Sequence, residues 1–330
     1  MPSRNRAGHS HSRRFFWLAV FIVAAILAYT GAWFYFAREI ELRTASALTR
    51  LTGSGIRAGC EEGIARGYPF RIGMFCNRVF YDNPGEGVSA EAGAFRSAAQ
   101  VYAPWHVVAE LDGPAMVEMR SLPPLTIGWD LLHASTRLAR PLPERISVEG
   151  KAVTVSARES GQGLLASAEA GELHARPSGR DLDVAGLFTG LTADPSLVRG
   201  LRLPRLDGSA DMTIKDGVAL VRKPPTDLRG RSVTIRTLSL SNADADAGVT
   251  LSGPLSVDGK GRIDARLNVS LRNPKEISRL LEEAFPERRD EIRTAFSAIG
   301  ALGDAPSFPL RIERGKAYLG FIPLGRIPPL

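Results

Sequence analysis

The stretch Ile263–Arg272, which reads IDARLNVSLR, decides the fold class of this chain. Successive side chains of a β-strand point to opposite faces of a sheet, so alternating apolar and polar residues predict a strand with one buried face. That arrangement is typical of antiparallel sheets. The alternation holds for ten residues, and its apolar members are Ile263, Ala265, Leu267, Val269 and Leu271.

The flanking sequence extends this strand into a sheet. Val249–Val257 supplies a partner strand, and Asp258-Gly259-Lys260-Gly261 supplies the hairpin turn between them. The 33 glycines and 22 prolines suit many short strands joined by turns. The sequence therefore predicts a β-rich α+β fold, with a large antiparallel, curved or sandwich-like β domain over residues 53–330. Further strands are predicted at Ile146–Val155, Leu164–His174, Leu206–Ile214, Val218–Arg222, Val233–Leu240, Phe308–Ile312 and Ala317–Ile322.

Few helices are predicted inside the β domain. Asn273 and Pro274 are suited to begin a helix near 274–300, which Pro286 interrupts. Shorter helices are predicted near Trp129–Leu138 and Asp194–Leu201. The helix near 274–300 carries an apolar stripe, which favours packing on the core, with membrane-surface binding as the alternative. The stripe consists of Ile277, Leu280, Leu281, Ala284 and Phe285.

The run Phe15–Phe36, FFWLAVFIVAAILAYTGAWFYF, holds 22 residues without a charge. At about 1.5 Å of rise per residue it is long enough to cross a bilayer core of about 30 Å. Its ends are aromatic, as expected for side chains at the two membrane interfaces. We therefore predict a transmembrane helix anchored by Phe15, Trp17, Trp33 and Phe36.

The flanks of this run predict its orientation. The tail 1–14 carries four arginines and no acid, whereas acids and bases balance just after the run. Because basic flanks stay cytoplasmic, we expect the tail inside and residues 37–330 in the periplasm of a bacterium, with the run in the inner membrane. A signal peptide cleaved near Thr30-Gly31-Ala32 and twin-arginine export are the alternatives to this uncleaved anchor. The orienting arginines are Arg4, Arg6, Arg13 and Arg14.

The residues after the run continue its helical pattern. Leu42, Ala45, Leu48 and Thr49 recur on one helix face, and Gly53-Ser54-Gly55 ends the pattern. We therefore divide the chain into a cytoplasmic tail (1–14), an anchor (15–36), a juxtamembrane helix (37–52) and the β domain.

Cys60 and Cys76, the two cysteines of the chain, follow the anchor. Because the expected compartment is oxidising, we predict a disulfide, with two buried thiols as the alternative. Closing a loop of about 15 residues would stabilise the fold by about 3 kcal/mol on the chain-entropy model.

The charge of the chain argues against a nucleic-acid partner. The formal net charge is +7, but four of the 42 basic residues lie in the first 14 positions. The remaining chain carries 38 basic and 35 acidic residues, a net charge of +3. No cluster of basic residues with interleaved aromatic residues occurs there, so we expect no nucleic-acid binding.

The sequence holds no recognisable catalytic motif, since HExxH, GxSxG, SxxK and the P-loop are all missing. His106, His133 and His174 are widely spaced, and we interpret them as polar surface or hydrogen-bonded core residues. Asn242–Gly248 resembles the start of a calcium loop, but Gly253 stands where the closing glutamate is needed. We expect no catalytic residue, metal site or cofactor, and hence a protein that is not an enzyme.

Several features together resemble a known family. They are the basic tail, the single anchor, the two cysteines around Gly67-Tyr68-Pro69-Phe70-Arg71, and the closing hairpin at Arg314-Gly315-Lys316 with Ile322-Pro323-Leu324-Gly325. This arrangement resembles the alphaproteobacterial domain-of-unknown-function family 2125 over nearly the whole chain. The resemblance implies no catalytic residues. More loosely, an anchor followed by strand-turn-strand units resembles the AsmA-type envelope proteins, which implies lipid handling along an apolar sheet face.

Two functional hypotheses follow from the sequence. In the first, the periplasmic β domain binds lipid or another apolar envelope ligand without catalysing a reaction. In the second, it is a scaffolding or interaction partner of an envelope complex, bound through exposed sheet edges. Strand alternation fits both a groove and a closed sandwich core, so it does not choose between them.

Overall fold

A single antiparallel sheet of twenty strands makes up most of the chain that the structure describes. The computed structural model describes residues 9–158, 163–198, 200–222, 227–242, 244–301, 303–320 and 322–330. The strands are β1 (Arg57–Glu61), β2 (Ile64–Arg66), β3 (Arg71–Cys76), β4 (Arg78–Asn83), β5 (Val88–Ala92), β6 (Phe95–Gln100), β7 (Ala103–Leu111), β8 (Ala115–Met119), β9 (Leu122–Gly128), β10 (Leu131–Arg137), β11 (Arg145–Ala157), β12 (Leu164–Ser178), β13 (Asp181–Ala193), β14 (Leu206–Ile214), β15 (Ser232–Asn242), β16 (Ala247–Val257), β17 (Ile263–Arg272), β18 (Ser307–Glu313), β19 (Lys316–Leu319) and β20 (Ile322–Arg326).

The strands form a continuous meander, in which each pass of the chain pairs with the next. From β11 to β20 every strand pairs antiparallel with its successor. The first ten strands form five long passes of two strands each, and β11 pairs with both strands of the fifth pass. The predicted hairpin is present, because Val249 of β16 lies opposite Leu271 of β17. The antiparallel β-rich fold is confirmed.

The five long passes are each interrupted near the middle, and the interruptions lie opposite one another. We call this line of residues the seam; it comprises residues 62–63, 77, 93–94, 112–114 and 129–130. Residues left out of a regular ladder bend the strand that carries them. The seam therefore divides the first part of the sheet into two limbs. One limb consists of β1, β4, β5, β8 and β9, the other consists of β2, β3, β6, β7 and β10, and both limbs pair with β11.

Among the described residues, four helices accompany the sheet. They are α1 (His9–Gly53), α2 (Gly217–Arg222), α3 (Pro274–Ala284) and α4 (Arg289–Gly300). The helices α3 and α4 occupy the interval predicted to be helical, and a 3₁₀ turn at Pro286–Arg288 separates them. A second 3₁₀ turn, Pro195–Val198, lies where a short helix was predicted. Within the described chain, α1 is the one helix long and apolar enough to cross a membrane.

Two predicted elements are wrong in type. The segment Trp129–Leu138 was predicted to be a helix, but it forms the end of the seam and strand β10. Tertiary pairing overrides the local pattern there, because β10 is hydrogen-bonded to β7 on one side and to β11 on the other. The segment Val218–Arg222 was predicted to be a strand, but it forms helix α2 in the long connection between β14 and β15.

A third prediction is wrong in extent. Ala317–Ile322 was predicted to be one strand, but it contains the end of β19 and the start of β20. Gly320 has a positive φ of 60°, which suits a turn and not an extended strand. The chain turns back there, and β20 pairs antiparallel with β19.

The two faces of the sheet differ sharply in polarity. One row of directly opposed residues crosses eleven strands from β6 to β18 without a charge: Ser97, Ala109, Ala134, Val148, Leu173, Gly186, Ala210, Leu238, Leu251, Val269 and Phe308. The neighbouring row, one residue along each strand, is polar except at one position: Arg96, Glu110, His133, Glu149, Glu172, Leu187, Ser209, Ser239, Thr250, Ser270 and Ser307. We call these sides the apolar face and the polar face.

Candidate apolar groove

The apolar face is covered in one place and open in another. Near its C-terminal end, Ile235, Ala265, Leu267 and Ile312 form a buried cluster. Elsewhere most of its side chains are only half-buried, and Leu173 and Leu240 are 52% and 41% exposed. Leucines at such exposure leave much of the face uncovered by the rest of the described chain. The apolar face is therefore an open surface for much of its length and not the inside of a closed sandwich.

A groove of about 540 Å³ lies on this open part. Its wall is built by apolar side chains of strands β13 to β16, namely Phe188, Leu238, Leu240, Val249 and Leu251. Its polar lining residues, Glu172, Ser209 and Ser239, belong to the polar row of the opposite face. The hydroxyls of Ser209 and Ser239 lie 2.7 Å apart and hydrogen-bond each other, so they do not present free partners to the groove.

Small residues set the floor of the groove. A Cβ atom added at Gly208 would lie 2.4 Å from two ring carbons of Phe188, closer than side chains approach one another. The Phe188 ring therefore lies directly over the backbone of β14. Ala210 follows on the same face of that strand, and Gly186 lies opposite it on β13. The missing side chain at Gly208 makes room for the Phe188 ring, and the small residues Gly186 and Ala210 add little volume beside it.

The polar face carries a network of ion pairs around a cavity of about 410 Å³, which is lined largely by charged side chains. Arg236 hydrogen-bonds Asp211 and lies 3.2 Å from the carboxylate of Asp183. Asp183 also accepts a hydrogen bond of 2.7 Å from the Thr213 hydroxyl and pairs with Arg176 at 3.3 Å. The hydrogen bond from Thr213 lowers the pKa of Asp183, with help from Arg236, and Arg236 lowers the pKa of Asp211. These charges satisfy one another, so we assign the network to stability.

This network should make the sheet sensitive to acid. A carboxyl group whose pKa is lowered by folding adds stability above its unfolded pKa of about 4, and that stability is lost as pH falls through the folded pKa. We expect Arg236→Met to cost stability at pH 7 and to weaken the loss of stability below pH 4. The measurement is thermal unfolding followed by circular dichroism between pH 7 and pH 2. Arg266→Met is the control, because Arg266 forms no ion pair among the described residues; equal acid profiles for the two variants would contradict the assignment.

The remaining residues considered for chemistry do not assemble into a site. His106 and His133 lie on the polar face of β7 and β10, where they oppose Arg137 and Glu110. His174 lies 2.9 Å from the Ser147 hydroxyl and 3.3 Å from the Glu172 carboxylate. Across the parts of the chain that the structure describes, no three His, Cys, Asp or Glu residues are placed to hold a metal ion.

Residues 244–246 of the calcium-like segment form a turn between β15 and β16, and Ala243 lies outside the described residues. The buried Asn242 accepts a 2.7 Å hydrogen bond from the backbone of Ala245 and donates one of 2.7 Å to the carbonyl of Arg205. The oxygen and the nitrogen of its side-chain amide thus each help to hold the turn. Asp246 pairs with Arg272 at 3.2 Å, which occupies that carboxylate as well.

The predicted disulfide is present at the seam. Cys60 of β1 and Cys76 of β3 are bonded, with Cα atoms 5.2 Å apart. Cys60 lies opposite Val79, and Cys76 lies opposite Phe95. Since opposed residues share a face, the bond joins the apolar faces of the two limbs. The disulfide therefore fixes the position of one limb on the other at the edge of the sheet.

The anchor residues have two different surroundings. Phe15, Trp17 and Phe36 are exposed on α1, as a membrane-facing role requires. Trp33 is only 6% exposed, because it packs on the loop between β2 and β3 and donates a 2.9 Å hydrogen bond to the carbonyl of Arg71. The Arg13 and Arg14 side chains lie in the first turns of α1, whereas Arg4 and Arg6 fall outside the described residues.

The contact between α1 and this loop was not predicted. The Thr30 and Tyr68 hydroxyls lie 2.8 Å apart, and the Tyr68 ring packs edge-on against Trp33 and stacks on Phe34. The sequence singled out the Gly-Tyr-Pro-Phe-Arg segment only as a point of resemblance. Nothing in the spacing of these residues signals a contact across about forty positions of chain.

Comparison with protein families gives one match, which covers the twenty strands of the sheet and the second half of α1. A family model described as an uncharacterized protein conserved in bacteria, DUF2125, matches residues 33–328. Comparison with curated proteins gave no match, and comparison with solved structures gave none either.

Proposed function

We propose, for a chain that belongs to the DUF2125 family of uncharacterized bacterial proteins, a non-enzymatic role in which the apolar face of its sheet binds the acyl chains of envelope lipids. One observation carries this proposal. An uncharged row of side chains crosses eleven strands and stays largely open on the side where Leu173 and Leu240 are exposed. Soluble proteins rarely leave apolar patches of more than a few hundred Å² uncovered unless the patch binds something.

The dimensions of the groove favour a lipid tail. Ligand pockets typically hold about 300–1,000 Å³, and the groove has about 540 Å³. Removing apolar surface from water contributes about 25 cal/mol per Å², without requiring a polar anchor. The groove walls offer apolar contacts and few free hydrogen-bonding groups. A flexible hydrocarbon chain is therefore a better partner for this surface than a polar metabolite.

The anchor would hold the groove close to a supply of such ligands. The helix α1 has the length and composition to cross a membrane and leads directly into β1. Since basic flanks stay cytoplasmic, Arg13 and Arg14 favour an orientation with the sheet in the periplasm, on the outer side of the inner membrane. There the groove would meet envelope lipids and not cytoplasmic metabolites.

The test is photocrosslinking in intact membranes. With p-benzoylphenylalanine in place of Leu240, we expect the full chain to form an adduct with a lipid, because this position projects into the groove. The matched control places the same residue at Thr250 on the polar face of β16, where we expect no lipid adduct. Mass spectrometry of the adducts distinguishes the outcomes.

Two results would overturn the proposal. Equal lipid labelling at positions 240 and 250 would mean that the label reports only the nearby membrane. A protein adduct at position 240, in place of a lipid, would favour the interaction-partner hypothesis.

A further inference from the structure

We infer that the loop between β2 and β3, residues 67–70, inserts together with Tyr102 into the outer leaflet of the membrane that α1 spans. The sheet would then rest on the bilayer through a second contact besides its anchor. This inference goes beyond the proposed function and does not depend on what the groove binds.

The first step is the path of the chain after the anchor. From Trp33 to Gly53, α1 rises for twenty residues, or about 30 Å. From Arg57 to Gly67 the chain runs for ten residues as strands β1 and β2, or about 33 Å. The two lengths match, and the strands run back along the helix, because the Ala65 backbone donates a 3.0 Å hydrogen bond to the Glu41 carboxylate.

The second step is the depth that the loop reaches. Tyr29 donates a hydrogen bond to the carbonyl of Pro69, and the hydroxyls of Thr30 and Tyr68 lie 2.8 Å apart. Tyr29 and Thr30 belong to the uncharged run Phe15–Phe36, about 9 Å before its outer end at 1.5 Å per residue. The loop is therefore fixed at the height of the outer part of the membrane-crossing segment.

The third step is the character of the loop tip. Phe70 and Tyr102 are 70% and 71% exposed, and the Val101 backbone donates a 3.0 Å hydrogen bond to the carbonyl of Phe70, which brings the two side chains to one tip. Large aromatic side chains are costly to expose to water but are enriched at membrane interfaces. Arg66 and Arg71 flank the loop, where guanidinium groups can meet lipid phosphates.

The polar groups of the loop fit this depth as well. An unpaired hydroxyl or carbonyl is costly in an apolar environment. The Tyr68 hydroxyl, the Pro69 carbonyl and the Arg71 carbonyl each have a partner on α1. The loop therefore presents the Phe70 ring outward, while the Tyr68 ring and these three hydrogen-bonding groups face the helix.

The experiment measures the depth of single labels on the full chain in lipid nanodiscs. Phe70→Cys, Tyr102→Cys and Leu122→Cys each receive an environment-sensitive fluorophore; the described native cysteines are both in the disulfide and do not compete. Leu122 is the control, because it is exposed and begins β9 at the opposite end of the pass from Tyr102, about 50 Å away along β7 and β8.

We expect labels at 70 and 102 to be quenched severalfold more by acyl-chain quenchers, and severalfold less by aqueous iodide, than the label at 122. Two label positions keep the test valid if one variant fails to fold. Iodide quenching at 70 and 102 equal to that at 122 would overturn the inference. Protection from iodide without quenching by the acyl-chain probe would also overturn it, since a second protein copy and not lipid would then cover the tip.

Discussion

Val249→Asp should reduce lipid capture in the groove by about tenfold or more, which corresponds to about 1.4 kcal/mol of lost binding free energy. Val249 lines the groove on β16 and lies directly opposite Leu240, the crosslinking position. A bound hydrocarbon chain would take water away from the new carboxylate, and an ionised carboxylate without a partner is costly to desolvate. The measurement is the yield of lipid adduct from p-benzoylphenylalanine at position 240, with and without Val249→Asp.

Thr250→Asp is the matched control for this variant. It places the same charge one residue further along the same strand, at a position that is also half-buried. Thr250 lies on the polar face, opposite Ser239 and Ser270, so the carboxylate stays near hydroxyl groups and water. We expect its adduct yield to equal that of the parent chain. Equal losses in both variants would point to damage of strand β16 and would contradict a specific groove.

The amphipathic sheet could be predicted from sequence because its signal is local. The period of two in Ile263–Arg272 assigns a face to each residue without reference to any other part of the chain. The hairpin with Val249–Val257 follows from turn residues at the right spacing. The sequence does not predict the seam, because its interruptions become visible only when neighbouring passes are set in register.

The two elements whose type was predicted wrongly show where tertiary pairing overrides the local sequence pattern. Trp129–Leu138 carries a helix-like distribution of apolar residues, yet β7 and β11 offer hydrogen bonds on both sides and draw its larger part into the sheet. Val218–Arg222 has strand-like residues, but no strand among the described residues pairs with it, and it closes as a helix. Backbone groups must find partners, and the available partners decide between the two structures.

The groove itself could not be predicted from the sequence pattern. Alternation predicts an apolar face, but it does not tell how much of that face another layer covers. The answer depends on where α3 and α4 pack, and their contacts are mainly with each other and with β16. The contacts of Tyr29 and Thr30 with the loop could not be predicted either, because they join residues about forty positions apart.

Loss of the disulfide should have the largest effect on stability. We expect the double variant Cys60→Ala, Cys76→Ala to lower the free energy of unfolding by about 3 kcal/mol, the chain-entropy value for a closed loop of about 15 residues. Alanine is the suitable replacement, because Cys76 is buried on the apolar face and a serine hydroxyl would lack a partner there. The measurement is denaturant unfolding of the full chain in detergent micelles, followed by the circular dichroism of the strands.

The part of the sheet that loses stability tests the role of the disulfide as directly as the size of the loss does. The bond joins β1 to β3 where the ladder between the two limbs is interrupted, so few backbone hydrogen bonds there can replace it. Hydrogen exchange should therefore accelerate in β1 to β4 and stay unchanged in β15 to β18, which hold the buried cluster of the apolar face. Reduction of the parent chain serves as the control and should reproduce the variant. A loss below about 1 kcal/mol, or uniform acceleration of exchange, would mean that the contact of α1 with the loop after β2 already fixes this edge and that the bond adds little.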